Sequence, residues 1–83
     1  MADLYTVNIA AETSEEVTGG RVGHFLFKVV SGGDYFIGGT GVDDTTGIQV
    51  AASFSLYVTS PDEVYLYNQA PMTAGVIRVF HNR

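Results

Sequence analysis

The side chains of this sequence that could carry chemistry are two histidines, two adjacent aspartates and a set of closely spaced glycines. His24 and His81 each stand inside an apolar stretch, with no His-x-His spacing and no paired carboxylates beside them. A zinc site built on both would need further ligands, and the sequence places none at a regular spacing. We therefore interpret the two histidines as side chains on strand faces or at a subunit contact.

Asp43 and Asp44 lie between glycines in the stretch GGTGVDDTTGIQV, residues 38–50. Adjacent side chains of an extended chain point to opposite sides, so this pair does not form a catalytic dyad. Asp43 is expected to accept hydrogen bonds from nearby backbone N–H groups and so to close a turn. Binding of a cation by Asp43, Asp44 and loop carbonyls is the alternative.

Other catalytic signatures are missing from the sequence. Gly39 and Gly41 have no third glycine, no following Gly-Lys-Ser/Thr and no helix after them, so they do not form a phosphate-binding loop. No serine stands in a G-x-S-x-G context, and the chain has no cysteine to act as a nucleophile, metal ligand or disulfide partner. We predict that the protein is not an enzyme and that it uses no cofactor and no metal.

The elements that must position these residues follow from the hydrophobic pattern. Apolar and polar residues alternate with a period of two in residues 4–11, 53–58 and 64–67, and residues 22–30 and 74–81 are apolar on both faces. Glycine, proline and aspartate clusters separate these stretches, and no window has the apolar stripe of a helix. The pattern predicts an all-β chain: a small antiparallel β-sandwich or barrel, jelly-roll or immunoglobulin-like, with about six to seven short strands in one domain, residues 1–83.

The connections are also predicted from composition. Residues 12–20 are polar and are expected to form a solvated loop, and residues 31–34 are expected to join two strands of a hairpin. A turn around Pro61 is expected at residues 59–62. Residues 38–47 are expected to form an ordered turn, with a positive φ at Gly41 or Gly47, before strand-like sequence resumes at Ile48. The residues expected to shape that turn are Gly38, Gly39, Gly41, Asp43 and Gly47.

Composition bears on the partners of the chain. Charged residues make up 16% of the sequence, below the roughly 25% of an average domain, and 46% are hydrophobic. Polar cover is therefore thin, which favours a surface partly covered by other chains over a monomer with a Thr/Ser/Gly surface. A net charge of −5 with four Lys and Arg residues disfavours nucleic-acid binding. From its first residues we expect no signal peptide, and from its hydropathy no membrane-spanning helix.

Two aromatic sets are candidates for contact with another chain. Tyr57, Tyr65 and Tyr67 are expected to point outward on neighbouring segments, where exposed tyrosines often mark interfaces. Cross-strand tyrosine pairing within one monomer is the alternative. Phe25 and Phe27 belong to the stretch that is apolar on both faces, which indicates either a central strand or a subunit contact.

A series of short motifs follows along the chain: Ile37-Gly38-Gly39, Gly41-Val42-Asp43, Gly47-Ile48-Gln49-Val50, Ala51-Ala52, Phe54 to Tyr57, Asp62-Glu63-Val64-Tyr65 and Gly75-Val76-Ile77-Arg78-Val79. The order of these motifs resembles a small β-sandwich module of tailed-phage virion proteins, and the similarity covers about residue 21 to residue 80. Such modules occur as head decoration (cement) proteins and as adaptor domains of head or tail fibres. Gln49 stands where that family often has proline, and Ile77 is inserted in the final V-R-V motif, departures that concern local turns more than the fold.

The resemblance implies a capsid decoration protein that binds and stabilises the outer shell. Its partners would be the major capsid protein or other virion proteins, and it would form a homo-oligomer, with a trimer favoured. It would be made in the host cytoplasm and be located on the capsid surface, without contact to nucleic acid or membrane. The alternative is a fibre adaptor or receptor-binding module that recognises host glycans through exposed tyrosines.

Overall fold

The computed structural model describes residues 2–59 and 64–82, which form strands, turns and loops without any helix. The all-β prediction is thereby confirmed. Within the described ranges there is accordingly no helix of a length and hydrophobicity that could cross a membrane. The strands are β1 (Ala2–Ile9), β2 (Ser14–Glu16), β3 (Gly23–Ser31), β4 (Tyr35–Gly38), β5 (Ile48–Val50), β6 (Ser53–Val58), β7 (Tyr65–Asn68) and β8 (Gly75–Asn82).

The strands form two antiparallel sheets, which confirms the predicted sandwich. The first sheet has the order β1-β8-β3-β6 and the second has the order β2-β7-β4-β5. Pairing joins the first strand to the last, the second to the seventh, the third to the sixth and the fourth to the fifth. The chain is thus one long antiparallel hairpin rolled into two layers, which is the jelly-roll form of a sandwich. The turn between β4 and β5 is the tip of that hairpin.

The core lies between the sheets and is built by alternate residues of the central strands. Phe25 and Phe27 of β3 are buried, and their rings stack with centroids 5.9 Å apart. Phe54 of β6 stacks on Phe27 at 4.8 Å. From the second sheet, Tyr35 and Leu66 are buried against this cluster. Removing such a ring typically costs about 3–5 kcal/mol, so these side chains dominate the stability of the sandwich.

One strand lies in a segment that the sequence predicts to be a loop. β2 pairs with β7 inside residues 12–20, and the structure has eight strands where about six to seven were predicted. Its three residues are polar and carry no apolar alternation. Glu16 instead folds onto the following loop, where its Oε2 accepts hydrogen bonds from Thr18 N–H at 2.8 Å and Thr18 Oγ1 at 2.7 Å. A short, polar edge strand gives no period-two signal.

The predicted hairpin at residues 31–34 is also wrong, because β3 belongs to the first sheet and β4 to the second. The chain crosses between the layers with Gly32 at φ +110°. Gly33 packs so closely on the loop after β7 that a Cβ would lie 2.8 Å from the backbone N of Ala70. Glycine-rich connections suit hairpins and crossings equally, so composition alone could not distinguish them. The predicted turn at residues 59–62 lies, apart from Thr59, outside the described residues.

Candidate functional site

The turn at the tip of the hairpin uses its glycines for two different reasons. Gly41 has φ +80°, so the prediction of a positive φ at Gly41 or Gly47 is confirmed at Gly41. Gly47 has no positive φ, but a Cβ there would lie 2.7 Å from Val42 Cγ2 and 2.8 Å from Phe36 Cβ. A Cβ at Gly38 would lie 2.6 Å from the same Val42 methyl group. Gly38 and Gly47 therefore leave space for the buried side chain of Val42, while Gly39 has open space around it.

Asp43 closes this turn. Its Oδ1 accepts hydrogen bonds from the backbone N–H groups of Thr45 and Thr46, both at 2.9 Å, and from their hydroxyls at 2.7 and 3.1 Å. These bonds lower the pKa of Asp43 to about 2, and the bond from the Thr45 hydroxyl has the largest effect. Asp44 acts separately, since its Oδ2 accepts a hydrogen bond at 3.0 Å from Gln69 Nε2 in the loop after β7. The described residues contain no group of three metal-ligating side chains.

The two histidines lie on opposite faces of the first sheet. His24 is exposed and its ring lies 4.5 Å from that of Tyr57. His81 is buried, stacks on Phe25 at 4.5 Å, and places Nε2 2.6 Å from the carbonyl oxygen of Val22. The Nδ1 atom of His81 has no hydrogen-bond partner. This arrangement matches the expected location of both histidines on strand faces.

The aromatic residues predicted to form an interface are distributed differently from the prediction. Phe25 and Phe27 are 1% and 0% exposed, so they belong to the core and are out of reach of another chain. Tyr57 points outward from β6 in the first sheet, whereas Tyr65 and Tyr67 lie on β7 in the second. The three tyrosines therefore do not share one face.

Strand pairing instead produces an apolar row on the solvent side of the first sheet, which we call the outer face. Leu4 of β1 is paired with Phe80 of β8, and Phe80 is paired with Leu26 of β3. These residues are 72%, 41% and 50% exposed, respectively. Directly paired residues have Cβ atoms about 5 Å apart, so the three side chains form one contiguous strip. The sequence places Leu26 and Phe80 each in a stretch that is apolar on both faces, but only the register shows that they are neighbours.

Basic and aromatic side chains flank the apolar row. Arg78 and Lys28 are paired on one side of it, and His24 is paired with Tyr57 on the other. No aspartate or glutamate occupies an outer-face position among the described residues. Since the chain has a net charge of −5, its acidic groups are concentrated elsewhere. The outer face is apolar with a basic margin on an otherwise acidic protein.

A concave feature lies beside the second sheet. It is a shallow cleft of about 430 Å³ that Tyr67 and Gln69 line together with carboxylates. Partial desolvation raises the pKa of Tyr67, and the carboxylates of Asp44, Glu12 and Asp43 raise it further. Its lining residues are Glu12, Gly33, Asp34, Asp44, Tyr67, Gln69, Ala70 and Pro71.

No protein-family model, curated protein or solved structure matches this chain. The resemblance to phage virion modules therefore stays an expectation from the sequence motifs alone.

Proposed function

We propose that the protein is a non-catalytic assembly component that docks onto another protein through the outer face of the first sheet. The observation that carries this proposal is the paired apolar row of Leu4, Phe80 and Leu26. Single exposed apolar residues are common on soluble proteins, whereas contiguous ones bordered by polar residues mark contact sites. The row combines with Tyr57 and Arg78, and aromatic residues and arginine are enriched at interfaces.

The partner that fits this surface has an apolar patch bordered by carboxylates. Lys28 and Arg78 would then meet opposite charge at the margin, while the apolar row is buried at the centre. Charges at a rim guide association and discriminate against wrong partners more than they add affinity. The acidic remainder of the protein would face solvent or repel further acidic chains.

The specific role that we propose is that of a virion decoration protein, on the strength of the sequence resemblance. The outer face would bind the outside of a tailed-phage capsid at points where neighbouring shell subunits meet. A modest contact per copy is sufficient there, because one decoration protein that bridges two subunits resists their separation by binding both. Repetition over the lattice adds these contacts together.

Copy number tests this role. Purified particles of the phage that encodes the chain would be separated on a gel, and the band of this protein compared with that of the major capsid protein. We expect a copy number comparable to that of the shell subunits. A handful of copies per particle would favour a fibre adaptor, and a protein found only in the host cytoplasm would refute the virion proposal.

The cleft beside the second sheet favours the glycan-binding adaptor as a second candidate function. Sugar rings stack on aromatic side chains, carboxylates accept hydrogen bonds from sugar hydroxyls, and an amide side chain can both accept and donate such bonds. Tyr67, Gln69 and Asp34 offer this combination in one cleft. Saturation-transfer NMR with a panel of host-surface glycans would show binding that Tyr67→Ala abolishes and Tyr57→Ala retains. Binding that survives Tyr67→Ala would contradict this second function.

A further inference from the structure

We propose that the free edge of β1 is a self-association site, where a second copy of this chain adds its own β1 in antiparallel orientation. The two first sheets would then form one eight-stranded sheet across a twofold axis. This inference does not depend on the proposed docking function, because it uses the edge of the first sheet rather than its outer face.

Apart from the inner-facing carboxylate of Asp3 near its start, the edge of β1 lacks the features that normally block strand addition. Edge strands are usually kept short, bulged, or protected by lysine or proline. β1 has eight residues, against six in β6 and three each in β2 and β5, the other edges of the two sheets. Its sequence, ADLYTVNI, contains neither lysine nor proline. Its pairing with β8 is continuous from Ala2 to Ile9, without a bulge.

The sequence of β1 is compatible with pairing to itself. Directly opposed residues must lie on the same face of a continuous sheet. A twofold axis at Thr6 satisfies this condition, because outer-facing Leu4 then opposes outer-facing Asn8, and inner-facing Tyr5 opposes Val7. It also pairs two threonines across the axis, a favourable cross-strand combination.

The charges of the edge also permit this arrangement. Asp3 is the only charged residue of β1. In the Thr6-centred register, Asp3 of one copy lies opposite Ile9 of the other. The two Asp3 carboxylates are then about 20 Å apart, given the rise of a strand, and beyond the screening length of ~8 Å at physiological salt. A twofold pairing closes on itself, whereas β1-to-β6 addition would produce open filaments.

A cysteine cross-linking experiment tests the site, because the native chain contains no cysteine. Under mild oxidation, Thr6→Cys should form a disulfide-linked dimer, since the two residues face each other on the axis. Ser55→Cys is the matched control, an exposed outer-facing position on the opposite edge strand, β6. It should remain monomeric under the same conditions. Cross-linking at Ser55 but not at Thr6 would overturn the proposal.

Sedimentation equilibrium of the native chain at about 0.15 M salt supplies the second measurement. We expect a reversible monomer–dimer equilibrium. Thr6→Lys should raise the dissociation constant of the dimer about fivefold, because like charges would then oppose each other at the axis. Ser55→Lys should leave the equilibrium unchanged. A chain that is monomeric at all concentrations, or trimeric, would overturn the proposal. A monomer that still docks on particles would refute only the dimer, and a dimer that does not dock would refute only the docking function.

Discussion

Asn68 is completely buried at the end of β7, and both polar atoms of its side chain are engaged in hydrogen bonds. Its Oδ1 accepts from the backbone N–H groups of Gly33 and Ala70, both at 3.1 Å. Its Nδ2 donates to the carbonyl oxygens of Ile9 at 3.1 Å and Thr73 at 2.9 Å. One side chain thereby connects β1, the crossing after β3 and the loop before β8.

Truncation of this residue should be severe. Asn68→Ala removes the partner of four backbone groups, two of which, the Ile9 carbonyl and the Ala70 N–H, are buried, and we expect a loss of about 3 kcal/mol in the free energy of unfolding. For a domain of this size the melting temperature should fall by roughly 10–20 °C. Thermal denaturation measures the effect, with Asn82→Ala on the exposed side of β8 as the control, expected within about 0.5 kcal/mol of wild type. Equal, small effects of both substitutions would contradict the role of Asn68.

Asp43 makes the stability of the turn dependent on pH. Its folded pKa of about 2 lies below the ordinary value of 3.8, because the deprotonated carboxylate accepts hydrogen bonds in the folded turn. The stabilising contribution is therefore present above pH 3.8 and is lost as the pH falls towards 2. Melting curves between pH 5 and pH 2 should show a smaller decrease for Asp43→Asn than for wild type. Asp44→Asn serves as the control and should retain the larger decrease, whereas parallel curves for wild type and Asp43→Asn would exclude this effect.

At the scale of elements, the turn between β4 and β5 needs glycine for two reasons, backbone conformation at Gly41 and lack of space at Gly47, and substitutions can distinguish them. Gly41 has a positive φ and open space around it, so Gly41→Val should lower the free energy of unfolding by about 1–3 kcal/mol through backbone strain. Gly41→Asn should lower it less, because asparagine tolerates that conformation. Gly47→Ala should cost about 1–3 kcal/mol through overpacking against Val42 and Phe36. Denaturant unfolding would measure all three. An equal cost for Gly41→Asn and Gly41→Val would argue against strain.

The sequence predicts those elements whose side chains alternate in character. Residues 53–58 alternate between core and solvent in the structure as they do in the sequence, and the last strand likewise buries Ile77 and Val79. β2 was not predicted, because its three polar residues show no alternation of apolar and polar side chains. The crossing at residues 31–34 was predicted as a hairpin because turn chemistry specifies a reversal of direction, not the sheet that the chain joins next.

The candidate site was predicted only in part, because register is a property of pairing and not of one segment. The sequence correctly identifies Leu26 as lying on the face of β3 opposite Phe25 and Phe27. It does not show that Leu4 and Phe80 lie beside Leu26, nor that Tyr57 and Tyr67 belong to different sheets. Asn68 carries no local signal, since a buried asparagine and a loop asparagine look alike in sequence.

At the scale of the whole molecule, the rolled hairpin separates two kinds of surface. The outer face of the first sheet collects exposed apolar side chains together with Lys28 and Arg78, and no carboxylate lies there among the described residues. The second sheet and its loops carry Glu12, Asp34 and Asp44 around an open cleft. This division is the basis of the proposal that the first sheet is buried against another protein while the side with the cleft stays hydrated.

The most direct test of the docking surface compares two exposed apolar residues on opposite sides of the molecule. Leu26, 50% exposed, lies on the outer face, and Ile48, 73% exposed, lies on β5 of the second sheet. Because both are exposed, Leu26→Ser and Ile48→Ser should fold with nearly unchanged melting temperatures. Under the proposed virion role, each variant would be added to purified phage particles that lack the protein, and the bound amount would be measured by densitometry. We expect Ile48→Ser to bind as wild type and Leu26→Ser to bind about tenfold more weakly. Wild-type binding by Leu26→Ser, or its loss in Ile48→Ser alone, would contradict docking through the first sheet.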